Sequence, residues 1–169
     1  GAAWEEKDWD FALDRMAQLA GVLVEVGGQR RDGAVEAQLP VTVARRVGFV
    51  VDGGVFAHGQ TLNALMSKVF DRVDPVLRDR RPDAVLVQGD TTTTMAATIS
   101  GFYHRVKVGH IEAGLRTRDF DNPWPEEMNR RVADAICDLY FAPTNESRDN
   151  LLAEGTDPKR VHVTGNTVI

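Results

Sequence analysis

The chain has 169 residues, 43% of them hydrophobic and 27% charged, enough for one globular domain with a buried core. Its formal net charge of −5 provides no basic field for nucleic acid or anionic membranes, and no stretch reaches the roughly 20 apolar residues of a membrane span. The single cysteine, Cys137, excludes an internal disulfide and a cysteine-rich metal site; the acidic start GAAWEEKDWD lacks the apolar segment of a signal peptide, so a soluble cytoplasmic protein is expected.

Residues 9–26 place Leu13, Met16, Ala20 and Leu23 at helical spacing, although their last part, GVLVEV, reads equally as a strand. From 27 to 58, Gly, Arg, Ala and Val recur without a sustained period, and VGFVV (47–51) is a strand candidate. From Gln60 the pattern sharpens. Leu62, Leu65, Met66, Val69, Phe70 and Val73 share one helical face. Pro75 is expected to kink or break that helix, leaving PVLRD as a final turn or a second short helix. AVLVQ (84–88) reads as a strand, the threonines to about Tyr103 as a helix, and VKVGHIE (106–112) as a strand. A loop of Gly, Arg, Asp, Asn and Pro leads into a helix over 125–137, with Pro in its first turn and Glu126 and Glu127 at the positive end of its dipole. DLYFAP is a short buried strand, TNESRDNLLAEG a helix with a Thr cap and a Gly stop, and RVHVTGN a last strand. This alternation predicts an α/β fold of βαβ units: a parallel sheet flanked by helices, with right-handed crossovers.

Open parallel sheets bind ligands beyond the carboxyl ends of their strands. Asp90 follows the strand 84–88, Glu112 the strand 106–111, and Asn166 the strand 160–164, while Glu126 and Arg130 stand in the first turns of the helix after the long loop. A helix start leaves backbone N–H groups unpaired. Asp90 and Thr91 either cap that start while the other threonines pack, or the hydroxyls of Thr91 and Thr92 offer donors to an anion. Glu112 is either a general base whose pKa is raised by burial or a carboxylate held by Arg116 or Arg118. Glu126 and Arg130 are four residues apart, so an ion pair on the helix surface is the default. Arg116, Arg118, Arg130 and Arg131 form a local basic cluster suited to a phosphate-bearing substrate, or else a solvated face. His110 is a candidate substrate contact that also reads as a buried, hydrogen-bonded histidine. There is no Cys/His metal spacing, no P-loop and no Gly-x-Gly-x-x-Gly after a strand.

Five segments, VLVQGDTTTT, VGHIEAGLRT, NPWPEEMNRR, FAPTNESRDNLLAEG and VTGNTVI, occur in that order. Together with GQTLNALMSKVFDRVDPVL they resemble the N-terminal half of the non-hydrolysing UDP-N-acetylglucosamine 2-epimerases, over about residues 59–169. The resemblance implies two Rossmann-like domains, as in GT-B glycosyltransferases, with the substrate in the cleft between them. It implies interconversion of UDP-GlcNAc and UDP-ManNAc by loss of the C2 proton and of UDP, followed by re-addition through a bound 2-acetamidoglucal. No metal or nicotinamide cofactor is implied. By motif position the catalytic residues are Asp90, Glu112, Glu126 and Arg130, with Arg130 steadying the diphosphate. The substrate-binding set is Thr91, Thr92, His110, Arg116 and Asn166. The product typically feeds envelope or capsular polysaccharide synthesis.

Two departures qualify the resemblance. The family opens on a strand and a Gly-Thr-Arg-Pro-Glu loop that have no counterpart here; RMAQLA (15–20) and GGQRRD (27–32) are only weakly similar to segments that follow it. At GNTVI, where this chain ends, the family enters its second domain. The expectations are therefore a divergent or out-of-frame segment over 1–56, a Rossmann-like domain over 57–169, and an incomplete chain, beginning with Gly, that has little or no activity alone. Reading the encoding DNA in its other two frames tests the first of these. Alternatives are a fragment of a GT-B glycosyltransferase, or a non-catalytic partner that forms a homo-oligomer or pairs with an epimerase C-terminal half.

Overall fold

The computed structural model describes residues 47–49 and 59–166, all within the unit Val41–Asn166. The readings made for 1–46 and 50–58, including the helix over 9–26, lie outside the described residues. Five strands form one sheet: β1 (Val47–Phe49), β2 (Ala84–Gln88), β3 (Lys107–Ile111), β4 (Leu139–Ala142) and β5 (Val161–Val163). Their spatial order is β1-β2-β3-β4-β5, and every neighbouring pair is parallel. Four α-helices alternate with them: α1 (Leu62–Arg80), α2 (Thr92–Tyr103), α3 (Glu126–Ile136) and α4 (Asn145–Ala153). A sheet that grows in one direction through crossovers of the usual hand carries its helices on one face. Consistent with this, α1 packs on α2 and α2 on α3.

The pleat sorts the strand residues between two faces. Val85, Val87, Val108, Tyr140, Ala142 and Val161 meet Leu77, Ala97 and Leu151 from the helices, and Cys137 just after α3, in the main core. Leu86, Leu139 and Phe141, of opposite parity, are buried on the other face. Ala84–Val87 is therefore apolar at every position, as a strand buried on both sides must be.

The helix caps follow from local chemistry. Thr61, Thr91 and Thr144 each accept a hydrogen bond at Oγ1 from the backbone N–H three residues on, at 3.2, 3.2 and 3.1 Å. The helix stop read at the end of TNESRDNLLAEG is present: Gly155 has φ +91° and its N–H donates to the Leu152 carbonyl. Pro75 does not divide its helix, because Leu62–Arg80 runs unbroken through it. The N–H that proline lacks would have met the carbonyl of Asp71, an exposed residue that water can satisfy. Flanking contacts also hold the helix: Val69 and Leu77 are buried on either side, and Asp74 accepts from Arg78 at 3.0 Å and lies 2.8 Å from His104 Nε2.

The loop from β3 to α3 is anchored at Gly114, whose φ is +85°. A Cβ there would lie 2.2 Å from the carbonyl oxygen of Ser147 in α4, an impossible approach. Gly114→Ala is expected to cost at least about 2 kcal/mol, from the left-handed backbone and the clash together, read by urea denaturation.

Candidate functional site

Gln88 and Ile111 are register partners at the ends of β2 and β3. Asp90 and Glu112 therefore emerge side by side beyond the carboxyl edge of the sheet. The turn carrying Asp90 is tightly specified. Gly89 has φ +75°, its N–H donates to the Ile111 carbonyl at 3.0 Å, and a Cβ built on it would lie 3.5 Å from Glu112 Oε2. The Glu112 carboxylate thus lies over the turn that precedes Asp90. Glu112 itself has φ +68°, a left-handed conformation that is unfavourable for a side chain with a Cβ and is typical of functional sites.

The two carboxylates have unlike surroundings. Asp90 Oδ2 is 2.8 Å from Arg130 Nη2, and the Asp90 backbone carbonyl accepts from Asn129 Nδ2 at 2.9 Å. Neither Arg116 nor Arg118 holds Glu112: Arg116 turns to Asp134 and Glu154, and Arg118 Nη2 reaches Asn150 Oδ1 at 3.4 Å. Partial burial, and then the negative charge of Asp90, raise the Glu112 pKa against a smaller opposing effect of His110. Two adjacent carboxylates, one tied to a guanidinium and one driven toward its protonated form, are the arrangement that acid–base chemistry needs.

The surface ion pair between Glu126 and Arg130 is not formed. Arg130 is buried, and its Nε donates to the backbone carbonyl of Glu126 at 3.3 Å while its other nitrogens face Asp90 and, at 3.7 Å, Glu127 Oε2. A buried guanidinium with five donors gains more from two inward carboxylates than from one exposed neighbour. Nor do the four arginines converge on one anion cradle. Arg131 lies over the Phe120 ring, 4.9 Å from its centroid, while Arg116, Arg118 and Arg130 each turn to the separate partners given above. Glu126 stands half-buried in the first turn of α3.

The threonines divide their labour. Thr91 is the cap and is exposed; Thr94 Oγ1 donates to the Gln88 carbonyl at 2.6 Å and ties α2 to the end of β2. Thr92 and Thr93 are buried, so the capping reading holds for Thr91, whereas Asp90 points to Arg130 instead. Asn166 is exposed beyond β5, with β4 between its strand and β3.

His110 and Arg116, both named as substrate contacts, are instead occupied by the protein. His110 is 0% exposed; its Nδ1 lies 2.6 Å from Asp134 Oδ1 and its Nε2 2.8 Å from the Gly89 carbonyl. The Arg116 side chain is 2% exposed and donates to Asp134 Oδ2 at 2.8 Å and to both oxygens of Glu154 at 2.9 and 2.7 Å. Asp134 Oδ2 also accepts from Gly114 N at 3.1 Å. Glu127, 0% exposed, accepts from the N–H groups of Thr117 and Arg118 at 3.0 and 3.1 Å and fixes the loop before α3. Among the described residues no group of three or more His, Cys, Asp and Glu is placed to hold a metal ion.

A family model described as UDP-N-acetylglucosamine 2-epimerase matches residues 36–169. The chain belongs to this family. The match begins inside the segment that the residues alone leave unreadable. Over 118 residues the chain is 49% identical to the UDP-N-acetylglucosamine 2-epimerase of Yersinia pestis and 48% identical to that of Bacillus subtilis, covering 70% of this chain and 31% of each relative. The crystal structure of UDP-GlcNAc 2-epimerase from Neisseria meningitidis bound to UDP-GlcNAc matches with a TM-score of 0.65 at 48% identity, covering 67% of this chain and 30% of that one. The chain thus spans about a third of the length of the epimerases it matches, and its Rossmann-like α/β sheet is the architecture the resemblance implied.

Within this epimerase-family domain, Asn129 and Asp134 were not singled out by sequence reasoning, and Glu127 was read only as a helix-dipole residue. A signal was available for two of them: Glu127, Arg130 and Asp134 recur at three- and four-residue spacing, as an inward helical face does.

The buried pair sets a pH window. Burial works against charge on His110, but the hydrogen bond and charge of Asp134 and the Gly89 carbonyl outweigh it, so its pKa stands above 6.5. Burial would raise the pKa of Asp134, but His110 and then Arg116 outweigh it and hold it below 3.8. The folded state keeps a His110 proton that the unfolded chain releases, so this stabilisation is complete below pH 6.5 and is lost as pH rises through the folded value. The Asp134 contribution is complete above 3.8 and is lost as pH falls through its folded value. Urea midpoints of the wild type are expected to fall from pH 6.5 upward, and those of His110→Gln to lack that component.

Proposed function

We propose that this chain forms the wall of a UDP-N-acetylglucosamine 2-epimerase cleft that handles the proton at C2 of the sugar. In the forward direction a carboxylate takes that proton as the C1–O bond to UDP breaks, giving 2-acetamidoglucal and UDP. UDP then adds back at C1 while a carboxyl group delivers a proton to the other face of C2, giving UDP-ManNAc. Atoms and charge balance without an external oxidant or cofactor. The observation that carries the reading is the pair Asp90 and Glu112, at adjacent strand ends in unlike electrostatic settings. Glu112, with its raised pKa, is suited to hold and give a proton; Asp90 is aimed by Arg130; Glu126 adds a third carboxyl group at the positive end of α3. Arg130 acts first through Asp90, and its charge also favours the diphosphate as negative charge develops on it.

The opposite wall of the cleft is expected from a second domain of the kind these relatives span. Phe120, Trp124 and Met128, exposed in the loop before α3 and in its first turn, offer apolar area for that docking or for a second copy. An isolated wall cannot surround the transition state, so turnover by residues 1–169 alone is expected to be little or none. Fusing a relative's second domain after residue 169 is expected to yield UDP-ManNAc from UDP-GlcNAc, with solvent deuterium at C2 when the reaction is run in D2O. Glu112→Gln in that fusion is expected to lower the rate by about 10²–10⁴-fold. A fusion that binds UDP-GlcNAc yet moves no deuterium into C2 contradicts the reading.

A further inference from the structure

Both nitrogens of His110 face oxygen acceptors. One is a carboxylate that also receives Arg116 and the Gly114 N–H; the other is a backbone carbonyl, which cannot donate. A neutral imidazole has one N–H and would leave one of these short contacts, 2.6 or 2.8 Å, without a proton. The ring that satisfies both is the imidazolium. Its neighbours balance the charge: His110 and Arg116 stand against Asp134 and Glu154. The position of the ring is equally telling. His110 lies in register with Val87 on β2 and Tyr140 on β4, two residues before Glu112, and its Nε2 contacts Gly89, the residue before Asp90.

We propose that His110 is a positioning residue for the carboxylate pair: as an imidazolium clamped by Asp134 on α3, it holds the Gly89 carbonyl and so the turn that aims Asp90. It also keeps a fixed positive charge beneath Glu112. This rests on the reading of Asp90 and Glu112 as the proton-handling pair. It adds a third group that never touches substrate but governs where one carboxylate points and how readily the other ionises. The charge matters because Asp90 pushes the Glu112 proton affinity up, and His110 is the opposing influence. Without it, two neighbouring carboxylates would share one negative charge more often, and Glu112 would be slower to act as a base near neutral pH.

Two nuclear magnetic resonance measurements on the chain test this without any need for turnover, so they stand apart from the assay of epimerisation. In the wild type at neutral pH, nitrogen-15 spectra are expected to show both His110 ring nitrogens bearing protons. A single protonated nitrogen, the signature of a neutral tautomer, overturns the proposal and requires no variant. In His110→Gln, which can still offer an amide donor toward Gly89 but carries no charge, the carboxyl carbon of Glu112 is expected to titrate at higher pH than in the wild type. The Glu154 carboxyl, held low by its hydrogen bond with Arg116, serves as the internal reference and is expected to stay low. A Glu112 midpoint that does not move, in a variant that retains the native amide spectrum, overturns the electrostatic part of the role.

Discussion

The carboxylate of Asp134 is the contact on which the site depends. It is buried on α3 and receives His110 from β3, Gly114 from the loop after β3, and Arg116 from the same loop. A carboxylate removed from water is costly unless its oxygens are filled by good donors, and here both are. Such a network is strong only when complete, because each member left alone would be a buried, unpaired charge. The three segments it joins are therefore held to one arrangement. The clash that a Cβ at Gly114 would meet on Ser147 extends the same constraint to α4.

From that anchor the geometry of the edge follows by short steps. His110 passes the constraint to the Gly89 carbonyl, and Asn129, one helical turn before Ala133 on α3, passes it to the Asp90 carbonyl. Arg130 then turns the Asp90 carboxylate, and Glu127 draws the Thr117–Arg118 backbone against the same helix. This one helix supplies Glu127, Asn129, Arg130 and Asp134, which hold the wall from behind. Glu112 is left with its carboxylate over the Gly89 turn, its backbone left-handed and its proton affinity raised by burial and by Asp90. A polar scaffold of this kind gives rigidity where an apolar one would give only cohesion, and the proposed proton transfer would need the former.

Much of the fold was legible in the residues, for clear physical reasons. AVLVQ reads as a strand and DLYFAP as a buried one, and the caps read at Thr91 and Thr144 are present, with a third at Thr61 that sequence reasoning did not name. Pro75 misled because its cost depends on whether the abandoned carbonyl, here that of the exposed Asp71, meets water. The carboxyl-end positions of Asp90 and Glu112 were legible from strand order alone, since parallel sheets place ligand chemistry there. What α3 does was not. Glu-Glu-Met-Asn-Arg-Arg reads as a solvated surface because charged residues are rarely buried, and the partners that make burial tolerable come from Asp90, Thr117 and Arg118, all outside the helix. For the same reason Arg116 looked like a group free to meet a ligand, whereas its main partners are carboxylates 18 and 38 positions away, and His110 is the buried, hydrogen-bonded histidine that it also reads as.

The central claim, that the Asp134 network governs the turn carrying Asp90, is tested most directly by amide hydrogen exchange in Asp134→Asn. Gly89 N–H, bonded to Ile111, sits two links from the altered carboxylate. Weakening charge-assisted hydrogen bonds of this kind costs about 1.5–3 kcal/mol, so exchange at Gly89 is expected to accelerate by about tenfold or more, beyond any change at Leu65 in α1. Equal changes at Gly89 and Leu65, or none at Gly89, would contradict the account.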